Sequence, residues 1–203
     1  MPRLELLRHA MTRGNLEGRW VGTTDQALCP EGIALARKNA RPPGKVPRRV
    51  WVSPLLRCRE TAALLYPGAE QLVIPALRET DFGPLENKNH RELSGDPLYE
   101  GWLASGGTTP VPGMEPREAV TARALAAFRP VAEELAALGE DGAVITHGGI
   151  IMALCAALAR PAGDYYRWRV PCCGGWLLEL GDWPRTGRFT ILQEIIPEKE
   201  ESL

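Results

Sequence analysis

Apolar residues along the chain alternate between short dense runs and longer runs with helical spacing. The short runs at 3–8, 50–53, 72–75 and 143–146 are bounded by charged residues, proline or glycine, as buried strands are. Two further runs, 176–180 and 189–196, predict a late pair joined through Gly181, Pro184 and Gly187. Helical spacing covers 30–40, 54–66, 116–138 and 149–159, with Pro30 and Pro54 suited to a helix opening. Pro130 is expected to bend or interrupt the long 116–138 stretch. Strands alternating with helices predict an α/β protein, a three-layer α/β/α sandwich around a mostly parallel sheet. Residues 83–113 differ, being rich in Gly, Pro and polar residues, with Tyr99 and Trp102 as isolated anchors. They are read as an insertion over the active face of a single domain, 1–203, with an ordinary surface excursion as the equal alternative.

Composition adds mostly exclusions. With 203 residues, 44% hydrophobic and 24% charged, the chain suits one ordinary domain with a large core. Its net charge of -1 calls for neither nucleic acid nor an anionic membrane as partner. No apolar run approaches the ~20 residues that span a bilayer, and the first residues lack a secretory apolar stretch. Five cysteines, an odd number with Cys172 and Cys173 adjacent, do not suit a disulfide framework. No C-x-x-C pair occurs and the histidines are scattered, so no metal site is expected. The compartment these features imply is the cytoplasm. No apolar stripe demands an oligomer, and a homodimer stays open.

The chemistry sits at the strand ends. The first run ends in Arg8-His9, and 143–146 ends in His147 followed by Gly148-Gly149. Two of only three histidines therefore occupy equivalent points, beyond the carboxyl ends of strands, where open parallel sheets bind ligands. Arg57 opens the helix after the 50–53 strand, and a guanidinium there is suited to phosphate. Glu79 follows the third strand and could protonate a leaving alkoxide. Taken singly, each has a bland alternative: a strand end, a surface cation, a solvated loop glutamate. His90, alone in the 83–113 segment, is expected to be exposed. Trp20, Trp102 and Trp168 default to core packing.

In chain order these residues resemble the histidine phosphatase superfamily, the phosphoglycerate mutase-like fold. Arg8, His9, Thr12 and Asn15 match its first motif, with Ala10 and Met11 where the family has glycine and glutamate. Ser53-Pro54-Leu55 through Arg57 and Thr61-Ala62, then Leu77 to Glu79 with Phe82-Gly83, then Thr146-His147-Gly148-Gly149, match the later motifs. Gly113-Met114-Glu115 departs from the usual Gly-Glu-Ser spacing, so Glu115 carries little weight. The resemblance implies that His9 is the nucleophile and that Glu79 is the proton donor. It also implies that Arg8, Asn15, Arg57 and His147 hold the phosphate, with His147 working as a cation. No cofactor or metal is called for. The implied substrate is a small phosphorylated metabolite, hydrolysed through a phosphohistidine. Met11 is expected to alter the rim of the pocket. A mutase that returns the phosphoryl group to the substrate uses the same chemistry. Such mutases look longer after the third motif, which favours hydrolysis. A non-catalytic phosphate-binding protein is the third reading.

Overall fold

The computed structural model describes residues 1–198. In chain order the elements are β1 (Arg3–Arg8), α1 (Arg13–Leu16), α2 (Pro30–Lys38), β2 (Arg49–Val52), α3 (Leu56–Leu65) and β3 (Glu70–Val73). There follow α4 (His90–Leu93), α5 (Pro97–Ala104), α6 (Arg117–Leu138), β4 (Gly142–Thr146) and α7 (Gly148–Leu158). The chain continues with β5 (Ala159–Arg160), β6 (Gly175–Glu179), α8 (Trp183–Thr186) and β7 (Phe189–Ile195). Short 3-10 turns lie at Pro75–Leu77, Gly83–Leu85 and Tyr165–Trp168.

The strands form one sheet in the order β3-β2-β4-β1-β6-β7-β5. β6 alone runs against its neighbours β1 and β7, so the sheet is mostly parallel, as expected. Period-2 alternation sends side chains to opposite faces. Leu4 and Leu6 of β1, with Trp51 and Val144, join the core containing Phe128, Leu135 and Leu154 of α6 and α7. Leu7, with Val50, Val52 and Ile145, joins the core containing Ala36, Cys58 and Leu65 of α2 and α3. Helices thus cover both faces of the sheet.

Two expectations need adjusting. β3 lies two residues earlier than 72–75, and Pro75 instead starts a 3-10 turn. β3 is an edge strand paired only with β2, so half-exposed Gln71 and exposed Glu70 serve where an apolar pattern was sought. The helix α6 runs through Pro130 without interruption. A mid-helix proline costs about 3 kcal/mol. Burial of Phe128, Val131 and Leu135 on the same helix contributes roughly 1.5–3 kcal/mol per large side chain and outweighs it. Pro130 itself lies on the exposed side, where water can reach the carbonyl it leaves unbonded.

Tyr99 and Trp102 are not isolated. They pack with Leu85, Leu93, Val111 and Met114, against Trp20 and Phe82, in a separate small cluster. The helix α5 that carries them opens with Asp96, whose carboxylate accepts from the Leu98 and Tyr99 N–H groups, and has Pro97 at its first position. That Asp-Pro pair was a readable start signal.

Candidate active site

Adjacency of β1 and β4 brings the two histidines together. The strands pair in parallel with Arg8 opposite Thr146, so each imidazole follows at the same level. The His9 N–H donates to the Thr146 carbonyl at 3.0 Å, and the two rings lie 5.1 Å apart, centre to centre. β2 flanks β4 on its other side and is followed by Ser53, whose hydroxyl meets His147 Nε2 at 2.7 Å. The helix α3 then places Arg57 against His9. Arg57 Nε donates to His9 Nε2 at 3.3 Å, while its Nη atoms donate to the carbonyls of Thr24 at 2.9 Å and Gly22 at 2.8 Å. Arg57 is wholly buried, so the surface-cation reading is wrong.

These bonds fix the His9 tautomer. Nδ1 meets only the Ala10 carbonyl, at 2.6 Å, and must carry the proton it donates. Nε2 therefore holds a lone pair, accepts from Arg57, and belongs to a side chain that lines the main cavity. Burial holds His9 well below the usual 6.5, reinforced by Arg57 and Arg8 and opposed by the Ala10 carbonyl. Burial does the same to His147, helped by Arg57, His9, Arg8 and Arg123. Burial and the neighbouring cations thus disfavour the protonated form of His147 in the site without a phosphate, whereas the expected cation belongs to the site with one.

A pH dependence of stability follows. Above 6.5 neither the folded nor the unfolded chain protonates these two rings, so they carry no cost. Below 6.5 the unfolded chain takes up protons that the folded chain refuses, and stability falls until the folded-state values are reached. The melting temperature is expected to drop between about pH 7.5 and 5.5, and less steeply in His147→Gln. An equal slope in the two proteins would show that burial of this imidazole is not responsible.

Arg8, Asn15 and Glu79 line the same cavity as His9. Arg8 Nη1 donates to the Val170 carbonyl at 3.1 Å, and its buried Nε has no partner. Asn15 sits in α1, whose capping box commits its side-chain oxygen to the Thr12 N–H and hydroxyl but not its amide NH2. Glu79 is 8% exposed, and its carboxylate accepts from the N–H groups of Thr80 at 2.9 Å and Gly149 at 3.1 Å. Gly149 lies in the first turn of α7, where N–H groups point out of the helix. A Cβ there would come within 2.5 Å of Glu79 Oε1, so the glycine permits the approach. His147 and Arg57 are fully covered and are not among the side chains lining the cavity.

Sequence reasoning missed Arg123. From the middle of α6 it donates to the carbonyls of Ala76, Arg78 and Glu79 and to both oxygens of Glu115. Glu115, which its spacing had argued against, is thereby a fixed part of the site's support. Burial pushes its carboxyl up, but Arg123, the Asp81 N–H and Arg78 bring it below the usual range.

The cavity measures about 640 Å³. Trp20 and Trp102 pack edge to face at 4.8 Å and also line it, with Phe82, Tyr165 and Tyr166, so core packing is only half of their role. Trp168 is core alone. Arg117 lies 4.2 Å over the Tyr165 ring and donates to the Gly106 carbonyl and the Tyr166 hydroxyl, tying 83–113 to the 165–168 turn. His90 is exposed and meets only the Tyr99 hydroxyl, at 3.2 Å. Met11 does not line the cavity, so the expected change to its rim is not found. All five cysteines are free thiols, and burial pushes Cys58, 3.5 Å from His147 Nε2, up to about 12. Among the described residues no group of three or more His, Cys, Asp or Glu could hold a metal ion, and no helix is long and apolar enough to cross a membrane.

Known proteins resemble this arrangement. A 2,3-bisphosphoglycerate-dependent phosphoglycerate mutase of Maricaulis maris is 34% identical over 55% of this chain and 51% of its own. The chain thus spans about half the length of that relative. An adenosylcobalamin/alpha-ribazole phosphatase of Salmonella typhimurium is 29% identical over 83% of this chain and 85% of its own. The crystal structure of a phosphoglycerate mutase from Thermus thermophilus superposes with a TM-score of 0.69 at 34% identity, covering 97% of this chain and 99% of that one. The model of the histidine phosphatase superfamily (branch 1) matches residues 4–185, and the protein belongs to that phosphoryl-transferring family.

Proposed function

We propose that the protein hydrolyses a small phosphomonoester by way of a phosphohistidine on His9. The observation that carries this reading is the orientation of the His9 ring. Its Nδ1–H is held by the Ala10 carbonyl and its Nε2 lone pair belongs to the cavity side chain beside Arg8, Asn15 and Glu79. A neutral imidazole so fixed is a nucleophile. In the first step Nε2 attacks phosphorus in line, the bond to the leaving oxygen breaks, and Glu79 gives that oxygen a proton. In the second, the Glu79 carboxylate takes a proton from water. The water oxygen then attacks phosphorus, the P–N bond breaks, and inorganic phosphate leaves.

Arg8 and the Asn15 amide, which line the cavity, hold the non-bridging oxygens, while buried Arg57 acts from behind through its bond to His9 Nε2. Prearranged donors and charges of this kind stabilise charge as it shifts in the transition state. His147, covered and 5.1 Å from the His9 ring, stands one ring behind the cavity. A phosphate dianion held at His9 favours its protonated form, in which it acts as the cation the family resemblance implies. The arginines supply the positive charge, so no step is assigned to a metal.

The cavity walls bear on the substrate. Trp20, Phe82, Trp102 and Tyr165 offer flat apolar surface, and residues 83–113 contribute Trp102 and Gly107 to them. Such walls suit an alcohol with an aromatic or other flat body, and Arg19, Arg117 and Arg169 on the same cavity suit an anionic group carried on it. They agree with the phosphatase named for the Salmonella relative more than with a glycerate mutase. The mutase reading rests on the names of the Maricaulis and Thermus proteins.

Turnover of aryl and nucleoside 5′-phosphates is expected to exceed that of 3-phosphoglycerate by at least ~10-fold, the discrimination one apolar pocket contact provides. Phosphate release and 2-phosphoglycerate formation, each with and without 2,3-bisphosphoglycerate, are the readouts. Isomerisation faster than hydrolysis would replace this reading with the mutase, and absence of both would favour the non-catalytic one.

A further inference from the structure

We infer that Arg123, together with Glu115, is the positioning residue for the proton donor of the reaction. This rests on the reading of Glu79 as that donor.

Glu79 lies in a loop after the Pro75–Leu77 turn, a setting in which a carboxylate is ordinarily mobile. Here the loop backbone is fastened on both sides of residue 79. Arg123 Nη1 donates to the carbonyls of Ala76 at 2.8 Å and Arg78 at 2.6 Å, and Nη2 donates to the carbonyl of Glu79 itself at 3.0 Å. Beyond Glu79, Glu115 takes the Asp81 N–H on Oε2 at 3.2 Å and gives its own N–H to the Asp81 carbonyl at 2.8 Å. Arg123 and Glu115 are joined by two bonds, Nε to Oε1 at 2.7 Å and Nη2 to Oε2 at 2.8 Å. The fork of the guanidinium is what permits one side chain to serve three carbonyls and a carboxylate. The anchor is rigid as well. Val120, Ala124 and Phe128, on the turns around Arg123, are buried in the main core, and the Arg123 and Glu115 side chains are only 16% and 13% exposed.

Arg123 does not line the cavity, although Glu115 does, so Arg123 acts through the loop it holds at Glu79 and through its charge on His147. The backbone clamp sets where the carboxylate starts, and the Thr80 and Gly149 N–H groups set where it points. A displacement of about 1 Å in such a group costs on the order of 10²-fold in rate. In the step concerned, the His9 Nε2–P bond forms, the P–O bond breaks, and the Glu79 proton moves to the departing oxygen. An alkoxide cannot leave readily without that proton, whereas p-nitrophenolate is stable as an anion.

The test compares kcat/KM for an alkyl phosphate, glycerol phosphate, with that for p-nitrophenyl phosphate in the full-length protein. Arg123→Met is expected to lower the first by about 10²-fold and the second by less than about 10-fold, matching the range of acid catalysis. Arg123→Lys should fall between Arg123→Met and the parent, and Glu79→Gln should show the same selective loss. Adding Arg123→Met to Glu79→Gln should leave the ratio between substrates unchanged. Should Arg123→Met fail to fold, Glu115→Gln carries the test; because Glu115 also lines the cavity, the ratio between the two substrates, with a smaller loss of the same selectivity, is its readout. Equal losses for both substrates in folded Arg123 and Glu115 variants, with Glu79→Gln still selective, would overturn the inference. No selectivity in Glu79→Gln itself would instead overturn the donor reading.

Discussion

His9→Ala is expected to lower kcat by more than about 10⁴-fold, the scale on which removal of a covalent nucleophile acts. The fold should survive the change. His9 is neutral, and its ring makes one bond to the Ala10 carbonyl and one from Arg57. A buried hydrogen bond of that kind contributes about 1 kcal/mol. The neighbouring backbone is held independently, by the Ala10 N–H on the Thr61 hydroxyl at 2.9 Å and the His9 N–H on Thr146. Acid-labile label from a radiolabelled phosphomonoester should appear on the parent protein after rapid quenching and be absent from His9→Ala, which should still unfold cooperatively, at a melting temperature lowered by the unpaired Arg57 Nε and Ala10 carbonyl. Retention of most of the turnover, or of the label, would move the nucleophile elsewhere.

Arg57→Ala should damage both activity and stability. Its Nη atoms hold the carbonyls of Val21, Gly22 and Thr24, which would lose their partner within the site. Each buried polar group so abandoned costs about 1–3 kcal/mol, enough in sum to lower the melting temperature by many degrees. Loss of the Nε bond that orients His9 Nε2 adds about 10²-fold in kcat, the cost of a small misplacement of a reacting group. The sign of the pH effect is also fixed. Arg57 is the leading charge that depresses His9, so its removal raises the His9 value towards 6.5. The acid limb of kcat/KM then moves to higher pH. Arg57→Lys should rescue little, because one ammonium cannot reach Nε and Nη partners on different sides. A variant with parental stability and an unmoved acid limb would refute this account.

The contrast between what the sequence disclosed and what it hid has a physical basis. His9 and His147 were legible because a rare residue stood at the end of two apolar runs, each of which proved to be a strand of the same parallel sheet. Arg57 was legible through its place at a helix opening, but its burial was not, since the carbonyls it serves lie in an irregular segment, 21–24. Arg123 was hidden because a mid-helix arginine has the same local pattern whether it faces water or a neighbouring loop. Only the packing of α6 against the Pro75–Leu77 turn reveals its partners. Trp102 was readable as an anchor, yet its place on the cavity wall depends on contacts with Trp20, distant in the chain.

The pairing of β1 with β4 joins segments far apart in the described chain. Contacts of such long separation form late and slowly during folding. The pocket is therefore a product of finished folding rather than of any fragment. Because His9 reaches its place beside Thr146 only once that closure is complete, an anion bound in the cavity that His9 lines would favour the closed chain as a whole. A ligand at 100 times its Kd would stabilise it by about 2.7 kcal/mol. Resistance to proteolysis far from the pocket would then rise and fall with occupancy.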